Sequence, residues 1–139
     1  MIKSCFENLK QNRLKITPKR KAVIGLFIES NQVLSPYQVH ARLKRRFARL
    51  GLPTIYRILD ELARIGILVK AENTDRQLSY GLCRISGTHH HHFICRRCKR
   101  IEELEYCDFV TMSRIIEEKL NCKAETHFLQ IEGLCSKCR

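Results

Sequence analysis

At 139 residues, with 44% hydrophobic and 29% charged side chains, the chain has the balance of a folded protein of one domain or two small ones, which excludes a disordered polymer. Its formal net charge of +12 favours polyanionic partners, nucleic acid ahead of an anionic membrane surface. The longest clean apolar stretch, 22–28, is far too short to span a bilayer, and 1–15 carries no apolar segment of the signal-peptide kind.

In chain order, Leu9 and Leu14 anchor a short leading helix that stops before Thr17-Pro18. Thr17 as N-cap with Pro18 at the first helical position starts a second helix, with Ala22, Val23, Leu26 and Phe27 on one face. Ser35-Pro36 repeats that signal and opens a third helix carrying Val39, Leu43 and Phe47. A fourth begins at Gly51-Leu52-Pro53, buries Ile55, Ile58, Leu59 and Leu62, and ends at Gly66. Two short strands follow, 67–71 and 77–82, around the polar turn 73–76. Three or four helices and a β-hairpin in a basic segment predict a winged helix-turn-helix. The remainder predicts a small α+β unit: strands at 93–95 and 101–104, a helix with Phe109, Met112, Ile116 and Leu120, and a strand over 123–132.

The boundary is expected between residues 82 and 83, because composition changes there. Residues 1–82 carry 16 Lys and Arg against 6 Asp and Glu; residues 83–139 carry 10 against 8. Seven of the eight cysteines, and every histidine but His40, lie in the second part. Fewer than 60 residues make a thin core there, which a metal or a partner subunit usually supports.

The chain is read as cytoplasmic, where thiols stay reduced and clustered cysteines point to metal rather than disulfides. Cys95-x-x-Cys98 and Cys135-x-x-Cys138 can fill one tetrahedral zinc ion, leaving no open position, so the site is structural. Buried free thiols or a redox pair are the alternative. His89-His90-His91-His92 precedes a strand, where neighbours point to opposite faces. The run then splits into His89/His91 and His90/His92, which suggests two metal sites back to back; a solvated polar loop is the alternative. Cys83, Glu103 and His127 are the available completing ligands. One thiolate, two imidazoles and one carboxylate suit zinc, whereas iron(II) or manganese(II) prefers a larger oxygen and nitrogen shell. Cys5, Cys107 and Cys122 have no evident metal partner and read as packing residues.

Taken together, 13–20 (RLKITPKR), 54–59 (TIYRIL), the histidine run before Cys95-x-x-Cys98, and Gly133-x-Cys135-x-x-Cys138 resemble the ferric-uptake-regulator family of metal-dependent repressors over nearly the whole length. The resemblance implies a homodimer, with a winged-helix DNA-binding domain at 1–82 and a dimerisation and metal-binding domain at 83–139. It matches Cys95, Cys98, Cys135 and Cys138 to the family's structural zinc ligands. It maps a regulatory hinge site onto Cys83, His90, His92 and Glu103. Cys83, where iron sensors carry a carboxylate, is similar to the zinc-uptake-regulator branch; iron(II), manganese(II) or peroxide sensing is the alternative. Two further hinge positions used in the family fall on Val33 and Val69. An additional family site maps to His89, His91 and His127, with its acidic member falling on Val110 and Asp108 or Glu105 as substitutes.

The implied function is metal-responsive repression through double-stranded, palindromic operator DNA, with no enzyme activity. Thr54, Tyr56 and Arg57 occupy the exposed first turn of the fourth helix, which would enter the major groove. An ordinary solvent-exposed helix face is the alternative. The resemblance puts Lys15 near the minor groove, while Lys19, Arg20, Lys21 and 44–46 would mostly meet phosphates. A zinc hydrolase or deaminase is disfavoured by the lack of H-E-x-x-H and of H-x-E with P-C-x-x-C. A zinc-ribbon RNA-binding module is disfavoured by the low aromatic count: no Trp, four Tyr and six Phe.

Overall fold

The computed structural model describes residues 1–72, 77–85 and 88–139. Four helices come first: α1 (Ile2–Gln11), α2 (Pro18–Ser30), α3 (Pro36–Leu43) and α4 (Leu52–Arg64). A hairpin of β1 (Leu68–Glu72) and β2 (Leu78–Leu82) follows, then β3 (His91–Cys95), β4 (Ile101–Leu104), α5 (Phe109–Leu120) and β5 (Gln130–Gly133). The architecture is α+β, a winged helix-turn-helix followed by a small mixed sheet with one helix.

Local chemistry sets most of the helix ends. Thr17 Oγ1 accepts the Arg20 N–H at 3.3 Å, satisfying one of the orphan donors of α2. Ser35 and Gln38 form a reciprocal capping box at the start of α3. Asn31 and Asn121 end α2 and α5 in the left-handed region, and Gly66 makes the turn after α4 with φ of +73°.

The apolar faces of α1 to α4 meet over the hairpin in one core that includes Leu9, Val23, Phe27, Val39, Ile55, Leu59, Leu62 and Leu82. Each such side chain contributes roughly 1.5–3 kcal/mol relative to exposure. Tyr80 is fully buried in this core, and its hydroxyl donates to Asp60 Oδ1 at 2.7 Å.

The second unit is built differently. Its three strands run in the order β4-β3-β5, with β3 antiparallel to β4 and parallel to β5. Helix α5 buries none of its residues. Val110, Met112, Ile115, Leu120, Phe128, Leu129 and Ile131 leave an exposed apolar surface. The apolar interior here is a small cluster of Ile94 and Ile101 with Val33 and Ala71 of the first unit, backed by Val69. Val33 and Val69, the two further hinge positions to which the resemblance assigns metal donors in other members, thus serve as packing in the joint between the units.

That joint is close. A Cβ on Gly81 would lie 2.6 Å from Ile101 Cδ1 and 3.1 Å from Val33 Cγ1, so only glycine lets the wing approach the second sheet. Val33 N–H donates to the Lys99 carbonyl at 2.9 Å, and the Arg84 guanidinium donates to Asn31 Oδ1 at 2.6 Å.

Several expectations are corrected. The leading helix ends at Gln11, so Leu14 lies beyond it, and Phe47 lies beyond the end of α3; both side chains still pack on the core. The long strand expected over 123–132 is reduced to Gln130–Gly133, because only these residues find a ladder partner, on β3. Met112 and Leu120 of α5 face solvent instead of a core. The turn at 73–76 lies outside the described residues. Among the described residues, no helix is long and apolar enough to cross a membrane.

Candidate metal centres and nucleic-acid face

Three groups of metal-donor side chains come together among the described residues. The first is the four-cysteine group expected from the sequence. Cys95 ends β3, Cys98 closes the turn after it, and Cys135 and Cys138 follow β5. The parallel pairing of β3 with β5, with Cys95 opposite Gly133, brings the two C-x-x-C turns side by side. All four sulfurs lie within 4.8 Å of one another. Cys98 Sγ and Cys135 Sγ are 3.7 Å apart, close to the edge of about 3.8 Å set by four 2.3 Å zinc–sulfur bonds. Backbone N–H groups of Cys98 and Cys135 directed at Cys95 hold its pKa down to about 6, while hydrogen bonding with Cys135 pushes Cys138 up to about 12. One thiolate is thus favoured beforehand, and a bound cation would relieve the crowding that keeps the last thiol protonated.

The second group is Cys83, His90 and His92, at the junction of the wing with the second sheet. Cys83 Sγ is 3.2 Å from His90 Nε2. His90 Nδ1 lies 2.8 Å from the Thr88 carbonyl. That contact puts the ring proton on Nδ1 and leaves the Nε2 lone pair facing the sulfur. His92 is 9% exposed, and its buried Nε2 has no hydrogen-bond partner among the described residues. An unsatisfied buried polar atom costs roughly 1–3 kcal/mol, and a cation beside Cys83 and His90 would satisfy it. Burial, then the neighbouring His90, lowers the His92 pKa, and burial raises that of the Cys83 thiol. Both shifts favour neutral groups while no cation is bound.

Glu103 does not join these three atoms. It pairs with His92 across the β3–β4 ladder, but its Oε1 accepts the Arg84 N–H at 2.8 Å. The backbone donor competes for the carboxylate in a way sequence spacing does not reveal.

The third group contains His89, His91 and His127, and adds Cys107. The expectation that Cys107 only packs is corrected: its Sγ lies 3.2 Å from His127 Nε2. The acidic substitutes do not take part. Asp108 caps α5 through Oδ1 on the Thr111 N–H, Glu105 is absent from the group, and Val110 is exposed. Of the other two cysteines expected to pack, Cys5 is buried, whereas Cys122 is exposed and its Sγ donates to the Leu120 carbonyl.

In the winged helix, Lys15, Thr54 and Arg57 line one basic groove with Arg13 and Lys19. The N-terminal turn of α4 opens into it, since Ile55, Ile58 and Leu59 take the buried face. Tyr56 stands apart from this groove, and burial followed by the neighbouring Tyr37, an exposed residue of α3 that sequence patterning did not single out, raises its pKa. Tyr37 directly follows the Ser35-Pro36 helix start, which was the available signal. Two expected phosphate contacts have other work. Arg20 pairs with Glu61 and donates to the Lys15 carbonyl, tying α2 to α4. Lys21 lies over the Phe6 ring, 5.6 Å from its centroid.

The family described as "Ferric uptake regulator family" matches residues 11–132. The ferric uptake regulation protein of Bacillus subtilis (strain 168) is 29% identical over 134 residues, covering 95% of this chain and 90% of the relative. Among solved structures, the ferric uptake regulator of Francisella tularensis with iron is 29% identical, with a TM-score of 0.61, covering 90% of this chain and 94% of its own. A zinc uptake regulator complexed with zinc and DNA superposes with a TM-score of 0.78 at 24% identity, covering 98% and 91%, which establishes likeness of fold. With the family matched across both units, the chain belongs to the ferric uptake regulator family and is a metal-responsive transcriptional regulator.

Proposed function

We infer that this regulator senses zinc, using Cys83, His90, His92 and Glu103, and represses zinc-uptake genes in the cytoplasm as a non-enzymatic homodimer on palindromic double-stranded DNA. Residues 1–82 are the DNA-binding domain in this reading and 83–139 the dimerisation and metal-binding domain. Cys95, Cys98, Cys135 and Cys138 hold a structural zinc.

The observation that carries the reading is His92, grouped with Cys83 and His90 where the wing meets the second sheet and with no partner among the described residues for its buried Nε2. A thiolate beside two imidazoles favours zinc over iron(II) or manganese(II). Glu103, opposite His92 on the β3–β4 ladder, would complete the set by turning its carboxylate from the Arg84 N–H toward these three residues. Bound zinc supplies a crosslink between Cys83, at the tail of the wing, and His90 and His92 of the second unit. Cys83 then sets the tilt of α4 against its symmetry mate and hence half-site fit. A coupling of ~1–3 kcal/mol gives a roughly 5–150-fold change in affinity. The exposed apolar residues of α5 and 128–131 fit a second copy of the chain, since a face of this kind is unusual on a monomer. Iron sensing is the competing reading, supported by the names of the curated relatives.

The test is to select duplexes from a random-sequence pool with zinc-loaded protein and measure their binding with zinc, iron(II), manganese(II) or chelator. Zinc is expected to give the tightest binding, and Cys83→Ser to abolish most of the zinc response. Tightest binding with iron(II), or an unaltered zinc response in Cys83→Ser, overturns the reading.

A further inference from the structure

We propose that Cys107 completes a second exchangeable metal site with His89, His91 and His127, a three-imidazole, one-thiolate site for zinc-like borderline-soft cations that lies wholly within the second unit. The family resemblance maps a metal site onto the three histidines, with a carboxylate to complete it. The geometry supplies a thiol instead.

The histidine contacts come first. His89 Nε2 is 3.2 Å from His91 Nε2 and 3.0 Å from His127 Nε2, and His91 and His127 are themselves 3.2 Å apart through the same atoms. Each pair needs one donor and one acceptor to be a hydrogen bond. Three atoms of a triangle, each carrying at most one proton, cannot satisfy all three edges. A cation accepting all three lone pairs removes the conflict. Zinc–nitrogen bonds of 2.0–2.1 Å in a tetrahedron set nitrogen–nitrogen edges of about 3.3–3.4 Å, close to those seen.

The fourth corner belongs to Cys107. Its sulfur is 3.2 Å from His127 Nε2 and within 4.8 Å of every other donor atom in the group. The residue directly precedes Asp108, the N-cap of α5. His127 is stacked on Phe109, with centroids 4.3 Å apart, which fixes its ring plane. On binding, Cys107 releases its proton to solvent and the sulfur donates an electron pair to the metal. Because none of the four ligands comes from the winged helix, this site cannot set the angle between the units. It ties the start of α5 and the segment before β5 to the sheet beneath the apolar surface. It is separate from the Cys83 group and stands or falls independently of it.

Cobalt(II) is the probe, added to full-length chain whose four-cysteine group already holds zinc. In Cys83→Ser protein, the remaining cobalt site is expected to show tetrahedral visible bands and a thiolate-to-cobalt charge-transfer band in the near ultraviolet. Cys83→Ser/Cys107→Ser should lose the charge-transfer band, and Cys83→Ser/Cys107→Asp should recover binding without it. Native mass spectrometry counts the bound ions in each case. Cobalt bound in Cys83→Ser protein with no charge-transfer band, or no cobalt beyond the structural zinc, overturns the assignment. Failure of the hinge reading appears instead in the DNA-binding response of Cys83→Ser, where this band plays no part.

Discussion

Gln32 donates a hydrogen bond from Nε2 to the carbonyl of Cys98 at 2.9 Å, linking the turn after α2 to the Cys95-x-x-Cys98 turn after β3. The first unit therefore leans directly on the four-cysteine group. Gln32→Ala leaves that carbonyl to solvent and is expected to loosen the joint without loss of structural zinc. Small-angle scattering of the metal-free protein should then show a larger spread of shapes than wild type, with zinc content unchanged. Identical scattering profiles would show that the contact does not restrain the joint.

Gly81 makes a second prediction at the same joint. A methyl group there would place its carbon 2.6 Å from Ile101 Cδ1 and 3.1 Å from Val33 Cγ1, so Gly81→Ala overfills a space between two buried side chains. Overpacking of this kind costs about 1–3 kcal/mol. The melting temperature should fall correspondingly, and the zinc response on DNA should weaken because Cys83 lies two residues away. A wild-type melting temperature would contradict the predicted crowding.

Removing the structural metal should unfold the two units unequally. The first unit has its own large apolar core, whereas among the described residues the second has Ile94 and Ile101 and little else buried and apolar apart from Cys95. Structural zinc supplies roughly 10–16 kcal/mol in small peptides. Cys98→Ser is therefore expected to lose zinc and dimerisation while retaining most helical circular dichroism. Sedimentation and elemental analysis check both parts, and a zinc-free dimer would refute the assignment.

Stability should also depend on pH through Asp60 and Tyr80. Hydrogen bonds from Lys70 and Tyr80 lower the Asp60 pKa, and burial followed by the Asp60 contact raises that of Tyr80. The Asp60 contribution is present above the ordinary carboxylate value and is lost as pH falls through its lowered folded value. The Tyr80 contribution is present below the ordinary phenol value of about 10 and is lost as pH rises beyond it. Tyr80→Phe should flatten the alkaline limb of a denaturant-midpoint profile. An unaltered alkaline limb in that variant would assign the loss to other groups.

Arg57→Ala should weaken binding to a selected duplex by about 1–3 kcal/mol if Arg57 reads a base, with relaxed preference at one position. Uniform weakening with a shallower salt slope would identify it as a phosphate contact instead. Competition binding at several salt concentrations separates the two.

The capped starts of α2 and α3, the buried stripe of α4, the four-cysteine group and the opposed pairing of the histidines were all legible in the order of the residues. Each depends on side chains a few positions apart, where cap chemistry, helical period or strand alternation dictates geometry. Even the two C-x-x-C turns are self-contained and needed only to be brought together. Packing, by contrast, was required to bring Cys107 to His127, 20 residues away, and Gln32 to Cys98, 66 residues away. It likewise turned Glu103 toward Arg84 and Arg20 toward Glu61. Such contacts depend on which packed surfaces leave a donor facing an acceptor, and no local periodicity carries that information.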